Sequence, residues 1–227
     1  MSRDLRWEKH HFPAYTVLKI WLEPGEQVVA EAGAFLLARG EIDVDTSTGG
    51  ITGGLKRALL GSESLFLNTY TAKSNAELWL VPPTPGDIEA IELSEDEWYV
   101  QDASYLAHYG DIKVATKMLG IRGLFAEGEL FWLKVSGTGT VWVNSFGSIE
   151  VVDVKPGETI TVDNYHLVAM PSNTEYRIRR FGGKWKSFLF GGEGIVLEVK
   201  GPTRLLIQTR TLPPLAQLIA KFLPVKR

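Results

Sequence analysis

Cysteine is absent from the 227-residue sequence. Its absence excludes disulfide bonds, thiolate metal sites and cysteine nucleophiles, and with them several classes of enzyme and zinc-binding domain. Long hydrophobic runs are absent as well, because no stretch approaches the roughly 20 apolar residues that cross a bilayer. Residues 1–11 are charged and lack the apolar segment of a signal peptide. We therefore expect a cytoplasmic protein with no transmembrane segment.

An excess of positive charge is also missing. The formal net charge is −3 and the sequence pI is about 5.9, which argues against a nucleic-acid or anionic-lipid footprint that covers the whole molecule. With 44% hydrophobic and 22% charged residues, the composition is typical of an ordinary globular protein. We expect one compact folded chain over residues 1–227.

The dominant pattern is period-two alternation of apolar residues, interrupted by glycine and proline. This pattern is typical of half-buried antiparallel strands. The clearest strands predicted in this way cover residues 15–22, 27–32, 64–71, 76–81, 130–135, 140–143, 175–179 and 195–199. The sequence therefore predicts an all-β fold. The strand positions of Trp132 and Trp142 predict core residues rather than a ligand-binding box.

Turn motifs support the strand predictions. Pro-Gly-Glu at 24–26 and 156–158 combines the preset φ of proline with a glycine that tolerates positive φ. Ser-Gly-Thr-Gly at 136–139 and Phe-Gly-Gly-Lys at 181–184 each predict a hairpin.

Two segments have helical features. The first, 55–60, follows the glycine-rich stretch 49–54, whose amides could hold an anion at the helix start, although a flexible loop is the favoured interpretation. The second, 213–224, follows two prolines. It places Leu215, Leu218, Ile219 and Phe222 on one apolar stripe. That stripe should pack on its own chain or on a neighbouring subunit.

The chain also repeats itself. Acidic turn motifs at 24–26, 94–97 and 156–158 each precede a similar strand, and Leu65, Leu130 and Ile195 stand 65 residues apart both times. Such echoes predict repeated β-units. The units group either into approximate halves, 12–110 and 111–212, followed by the helix 213–224, or into three consecutive units. The sequence leaves both groupings open.

Three ordered segments carry a family resemblance. They are Gly-Ser-Glu-Ser-Leu-Phe at 61–66, Val-Asp-Asn-Tyr-His-Leu-Val-Ala at 162–169, and Gly-Gly-Glu-Gly-Ile-Val-Leu at 191–197, the last continuing through Gly201-Pro202 to residues 207–210. Together they resemble the signature stretches of the altered-inheritance-of-mitochondria (twenty-four) family. The resemblance extends over roughly residues 14–224.

The resemblance implies a fold similar to that of the tryptophan RNA-binding attenuator protein. Its units would be duplicated antiparallel β-sandwich or double-stranded β-helix units, with the short helix at the C-terminus. The resemblance further implies subunits that form a homo-oligomer such as a trimer, and it implies no catalytic residues and no cofactor. A fold shared with an RNA-binding protein does not by itself imply RNA binding.

Local motifs for catalysis or metal binding are weak. Asp163 and His166 could orient a base, but no nucleophile motif accompanies them, so structural roles at a turn are favoured. The four histidines lack metal-ligand spacing, and no metal site is predicted. Glu41, Asp43 and Asp45 share a strand face that could hold a hard cation, although a solvated face is the favoured explanation.

The strongest candidate patch is the basic segment 177–186. If Gly182 and Gly183 form a two-residue turn, five side chains share one face of a hairpin: Arg177, Arg179, Phe181, Lys184 and Lys186. Cations beside an aromatic ring suit phosphate contact and base stacking, which makes this face the candidate polyanion-binding site. A charged hairpin also protects a sheet edge from aggregation, and that explanation is favoured.

Three functional hypotheses follow. The leading one is a non-enzymatic homo-oligomeric β scaffold or binding module. The second is nucleic-acid or polyanion binding through the hairpin 177–186. The third is a small-ligand or enzyme site between β-units, built from residues far apart in sequence, and an enzyme is the less favoured class.

Overall fold

Antiparallel strands make up most of the molecule. The computed structural model describes residues 5–47, 66–118, 131–180 and 195–223. Its strands are β1 (Arg6–His10), β2 (Val17–Leu22), β3 (Gln27–Glu31), β4 (Phe35–Arg39), β5 (Ile42–Ser47), β6 (Leu67–Ala72), β7 (Ala76–Leu80), β8 (Ile88–Gln101), β9 (Tyr105–Met118), β10 (Phe131–Asn144), β11 (Ile149–Val154), β12 (Thr159–Asp163), β13 (Leu167–Pro171), β14 (Glu175–Arg180), β15 (Ile195–Lys200) and β16 (Thr203–Gln208). The predicted all-β class is confirmed.

Three short helical segments complete the described part of the chain. Two are single 3₁₀ turns, η1 (Asp102–Ser104) and η2 (Asn164–His166), and the third is the helix α1 (Leu212–Ala220). The helix confirms the predicted C-terminal element, with two prolines in its first turn as expected for a helix start. The predicted segment 55–60 lies outside the described residues.

The strands form three sheets. A four-stranded sheet has the order β1-β2-β7-β4, a nine-stranded sheet has the order β11-β16-β13-β8-β10-β9-β3-β6-β5, and a three-stranded sheet has the order β12-β15-β14. The alternation in the sequence explains their faces. On β2, Leu18, Ile20 and Leu22 are buried, while Lys19 and Trp21 between them are half-buried.

Three hydrophobic cores lie between these layers. Core 1 joins the four-stranded sheet to the nine-stranded sheet and includes Ile20, Leu78 and Trp142. Core 2 is enclosed by the nine-stranded sheet itself, and core 3 joins that sheet to the three-stranded one. Trp132 and Trp142 are both buried, as predicted, and the Trp142 ring meets Trp7 edge-on at 5.8 Å.

The Ser-Gly-Thr-Gly motif at 136–139 is not a hairpin, which corrects the sequence prediction. Strand β10 runs straight through it and is paired with β8 on one side and β9 on the other. A Cβ atom at Gly137 would lie 2.0 Å from the Asp111 carbonyl oxygen, and its φ is +125°. These glycines therefore allow the neighbouring strand to approach, rather than reverse the chain.

The acidic motif at 94–97 is likewise a bulge and not a turn. Opposite β10, Asp96 pairs with Gly137 and Ser94 pairs with Thr138, which leaves Glu95 as the extra residue with a φ of +64°. A bulge bends a strand without ending it. Strand β8 consequently contributes Ile91 to core 2 and Tyr99 to core 3.

A close backbone contact anchors the start of β8. The Gly86 and Gly147 backbones form a parallel bridge. Beside it, the Asp87 amide donates to the Gly147 carbonyl oxygen, and the Ser145 amide donates to the Asp87 carbonyl oxygen. The Thr16 hydroxyl donates to the Asp87 carboxylate at 3.1 Å. A Cβ at Gly86 would lie 1.6 Å from the Ser145 carbonyl oxygen, so only glycine fits.

A tyrosine–histidine pair is buried in β9. A hydrogen bond of 2.6 Å joins the Tyr105 hydroxyl to Nδ1 of His108. Burial lowers the pKa of His108 from 6.5 to about 4. Burial also raises the pKa of Tyr105, with a smaller contribution from the carboxylate of Glu31. Both side chains are therefore neutral at pH 7.

The substitution Gly86→Ala should destabilise the fold. The added methyl group can be accommodated only by moving the Ser145 backbone, at a cost of about 1–3 kcal/mol or more in free energy of unfolding. Gly157→Ala is the control, because a Cβ there meets nothing within 4 Å and only its φ of +80° opposes the change. Urea unfolding measures both, and an equal loss in the two variants would contradict the close contact.

Acid should weaken the fold through His108. The unfolded imidazole takes up a proton near pH 6.5 and the folded one only near pH 4. Stability from this group is thus complete above about pH 6.5, is lost as the pH falls from 6.5 to 4, and changes no further below pH 4. The loss between pH 7 and 5 is about 2 kcal/mol. His108→Gln cannot titrate and should show a correspondingly shallower decline in urea midpoint; identical pH profiles would contradict this assignment.

Candidate functional site

The basic strand β14 is an edge of the three-stranded sheet and carries Arg177 and Arg179 on its exposed side. Phe181, Lys184 and Lys186 lie outside the described residues, so the structure places only two of the five predicted polyanion-binding side chains.

Acidic neighbours accompany the two placed arginines. Arg177 is the ladder partner of Glu198, and Nε of Arg179 lies 3.6 Å from the Glu198 carboxylate. A hydrogen bond from Lys200 lowers the pKa of Glu175, and the charge of Arg177 lowers it further. The described part of this face is therefore a mixed-charge surface.

Asp163 and His166 bond to the backbone and not to each other. The Asp163 carboxylate caps η2 by accepting a hydrogen bond from the Tyr165 amide at 2.9 Å. The His166 ring donates through Nδ1 to the Gln208 carbonyl oxygen at 2.6 Å. Both side chains thus hold the turn between β12 and β13 in place.

The acidic face of β5 is exposed to solvent. Asp43 forms an ion pair of 2.8 Å with Lys73, and Glu41 and Asp45 are exposed. Across the described ranges, no group of three or more His, Asp or Glu side chains is arranged to hold a metal ion. The glycine-rich stretch 49–54 lies outside those ranges.

Within the described ranges, strand β4 is an open sheet edge with apolar side chains. It pairs with β7 on one side and ends the four-stranded sheet. Phe35 and Leu36 are each 48% exposed. The sequence Phe-Leu-Leu-Ala at 35–38 lacks alternation, which is the pattern of a strand covered on both faces. The sequence predicts a strand after the motif at 24–26 but did not identify it as a candidate site, although that run was the available signal.

Two strands that also follow a short turn are covered completely. Residues Tyr105 to His108 of β9 are buried and pair with β3 and β10. Residues Leu167 to Met170 of β13 are buried and pair with β8 and β16. Among the strands that the structure describes, β12 is a second open edge, since it pairs with β15 and ends the three-stranded sheet.

Tryptophan and cationic side chains cover the outer face of the four-stranded sheet. The Arg6 guanidinium lies 4.3 Å from the Trp21 ring centroid, and the Lys19 ammonium lies 3.9 Å from the Trp79 ring centroid. Both rings are half-buried. Cation–π pairs of this kind partly shield an aromatic surface that none of the other described layers covers in a single copy of the chain.

The apolar stripe of α1 is exposed. No residue of the helix is buried, and Phe222 just beyond it is 81% exposed. The expected packing of this stripe on its own chain is therefore not found in the described residues. Among those residues, no helix has both the length and the apolar character needed to cross a membrane.

A cavity of about 250 Å³ lies where η1, η2 and the start of α1 meet. Its lining includes Gln101, Ser104, Asn144, Tyr165 and Gln208. These residues come from separate strands and turns, and no local spacing in the sequence connects them. Polar side chains from different β segments converge at this cavity.

Comparison with known proteins places the chain among uncharacterised relatives. It is 30% identical over 219 residues to an uncharacterised protein of Streptococcus pyogenes serotype M6. The aligned region covers 92% of this chain and 88% of that protein. A crystal structure of a Streptococcus pyogenes protein superposes with a TM-score of 0.79 at 28% identity, covering 96% of this chain and 100% of the other. Residues 7–210 match the family described as "Mitochondrial biogenesis AIM24". The chain therefore belongs to the AIM24 family.

Proposed function

We propose that this protein is a non-enzymatic β scaffold that assembles into a closed homo-oligomer by pairing β12 of one copy with β4 of the next. The observation that carries the proposal is the open edge of β4, with Phe35 and Leu36 half exposed, in a fold whose comparable strands are fully covered.

The strand pairing supports an organisation in three consecutive units. The order β2-β7-β4 at the start of the chain recurs as β11-β16-β13 near its end, and β3-β6-β5 recurs as β12-β15-β14. Between them, the long strands β8, β10 and β9 pair in the same relative order over their whole length. Each unit then supplies two small sheets, one before and one after its acidic motif.

Consecutive units are joined by one type of strand contact. The strand after the first acidic motif, β3, pairs with β9, and Ala30 lies opposite Ala107. The part of β8 that follows the second motif pairs with β13, and Val100 lies opposite Ala169. Strand β12 follows the third motif, and β4 is the counterpart of β9 and β13. Among the described strands, one edge of β12 and one edge of β4 thus remain unpaired, and these two edges can pair between copies.

The burial of two tryptophan side chains also supports the proposed contact. Trp142 of β10 lies in core 1, against the unit that precedes it in the chain. Trp79 of β7 is the counterpart of Trp142 of β10. Trp142 pairs with Ala90 of β8, and Trp79 pairs in the same way with Lys19 of β2. Trp79 remains half-buried under Lys19. A second copy seated on this face would bury Trp79 as Trp142 is buried.

This contact joins two different surfaces, so it is heterologous. Repeated heterologous contacts close into a ring when the rotation between copies permits, and otherwise form filaments. A closed ring satisfies every edge of this kind, and the family resemblance makes a trimer the expected size. The polyanion-binding hypothesis receives less support, because Arg177 and Arg179 lie beside Glu175 and Glu198.

The wild-type chain should show a discrete oligomeric mass in light scattering at micromolar concentration, a multiple of the 25.2 kDa chain. Leu36→Lys should shift that mass to the monomer, because a charged side chain on an open edge opposes strand pairing. Far-UV circular dichroism should be unchanged, since Leu36 is already half exposed in the single chain.

Val44→Lys is the matched control. Val44 is also an exposed apolar residue on an edge strand, β5, but that edge has no part in the proposed contact. Its oligomeric mass should equal that of the wild type. A monomeric wild type, or equal dissociation by both substitutions, would overturn the proposal.

A further inference from the structure

The cavity between η1, η2 and α1 has a mostly apolar wall with a few polar side chains, and a single chain supplies all of it. Gln101 precedes η1, Ser104 is the last residue of η1, Asn144 ends β10 and Gln208 ends β16. Phe146 and Tyr165 add aromatic surface. Its volume, about 250 Å³, is slightly below the roughly 300–1,000 Å³ of sites for drug-sized ligands. The cavity therefore suits one small ring system.

Two of the polar side chains at its wall belong to largely buried residues and have no hydrogen-bond partner among the described residues. Gln101 is 5% exposed and Ser104 is 2% exposed. Within the described ranges, neither side chain makes a hydrogen bond with the protein. Their polar atoms are not closed off from solvent, since among the described residues the fully buried side-chain polar atom without a partner is Nε1 of Trp142. The Gln101 carboxamide and the Ser104 hydroxyl at the cavity wall are therefore available to a bound molecule.

Neighbouring groups on the wall are held rigidly. The Gln208 side chain donates to the Tyr165 carbonyl oxygen at 2.8 Å and accepts from the Phe146 amide at 2.9 Å. The Asn144 amide donates to the Tyr105 carbonyl oxygen at 3.4 Å, which leaves its own oxygen as an acceptor. A wall fixed in this way is preorganised for binding.

The charge of the lining selects among ligands. Among the described residues that line the cavity there is no lysine, arginine or histidine, and Asp102 supplies a carboxylate. Phosphates and carboxylates would therefore lack a counter-charge on entering. A neutral ligand with both hydrogen-bond donors and acceptors matches the wall.

We propose that this cavity binds a neutral, planar nitrogen heterocycle of nucleobase size. The Gln101 carboxamide offers a donor and an acceptor side by side, the pairing by which glutamine and asparagine recognise the edge of a base. The rings of Phe146 and Tyr165 supply surfaces for stacking, as in base recognition by aromatic side chains. The site goes beyond the scaffold role and does not depend on assembly.

Isothermal titration calorimetry on the full chain with adenine, cytosine and uracil as probes tests the proposal. At least one base should bind with a Kd below about 1 mM. Gln101→Leu should weaken that base about tenfold or more, because the substitution removes both hydrogen bonds and keeps the approximate volume. Toluene is the apolar comparator, and its affinity should not fall in this variant.

Gln27→Leu is the matched control, since Gln27 is an exposed glutamine on β3. It should leave base affinity unchanged. Ser104→Ala is the second test variant and should weaken the same base severalfold. It decides the outcome if circular dichroism reveals that Gln101→Leu is unfolded.

The proposal is overturned if none of the three bases binds the wild type, or if the folded test variants bind as tightly as the wild type. Because one chain builds the cavity, Leu36→Lys should bind the base normally even as a monomer. Loss of the oligomer with binding retained would separate the two proposals, as would a monomeric wild type that binds.

Discussion

Backbone hydrogen bonding along strand edges is the constraint on which the rest of the structure depends. A strand has donors and acceptors on both sides, and a buried edge must find a partner for them. Strands β9 and β13 meet this requirement by pairing with β3 and β8, which follow earlier acidic motifs. The same requirement leaves β4 and β12 as the two ends at which the pairing pattern stops, and the proposed assembly satisfies them.

Irregular residues allow three layers to share strands. Strand β10 can serve cores 1, 2 and 3 because glycines at 137 and 139 admit the neighbouring backbone, and Glu95 bends β8 at the same level. Gly86 has a similar role where β8 begins. The regular parts of the sheets build the cores, and the cavity forms beside two short turns, η1 and η2, where regular pairing ends.

Much of the fold was predictable from local patterns. Alternation located most strands, an apolar stripe after two prolines located α1, and strand aromatics identified Trp132 and Trp142 as core residues. The errors at 94–97 and 136–139 have one cause: glycine and acidic residues suit a bulge as well as a turn. Only the presence of partners on both sides of the strand distinguishes the two. The cavity was not predictable, because its lining is drawn from segments near residues 84, 102, 145, 165 and 210.

The sequence by itself determined the all-β class, the family and the absence of any cysteine-based chemistry, because periodicity, ordered motifs and composition are properties of the chain alone. Tertiary structure decided which edges are covered, which polar groups are satisfied and where a cavity remains. Those properties depend on contacts between residues far apart in the chain: the Phe-Leu-Leu-Ala run of β4 is typical of a covered strand, yet among the described residues it pairs with β7 alone and leaves Phe35 and Leu36 half exposed. Gln101 shows the same dependence, since nothing in its neighbours along the chain reveals that it lines a cavity.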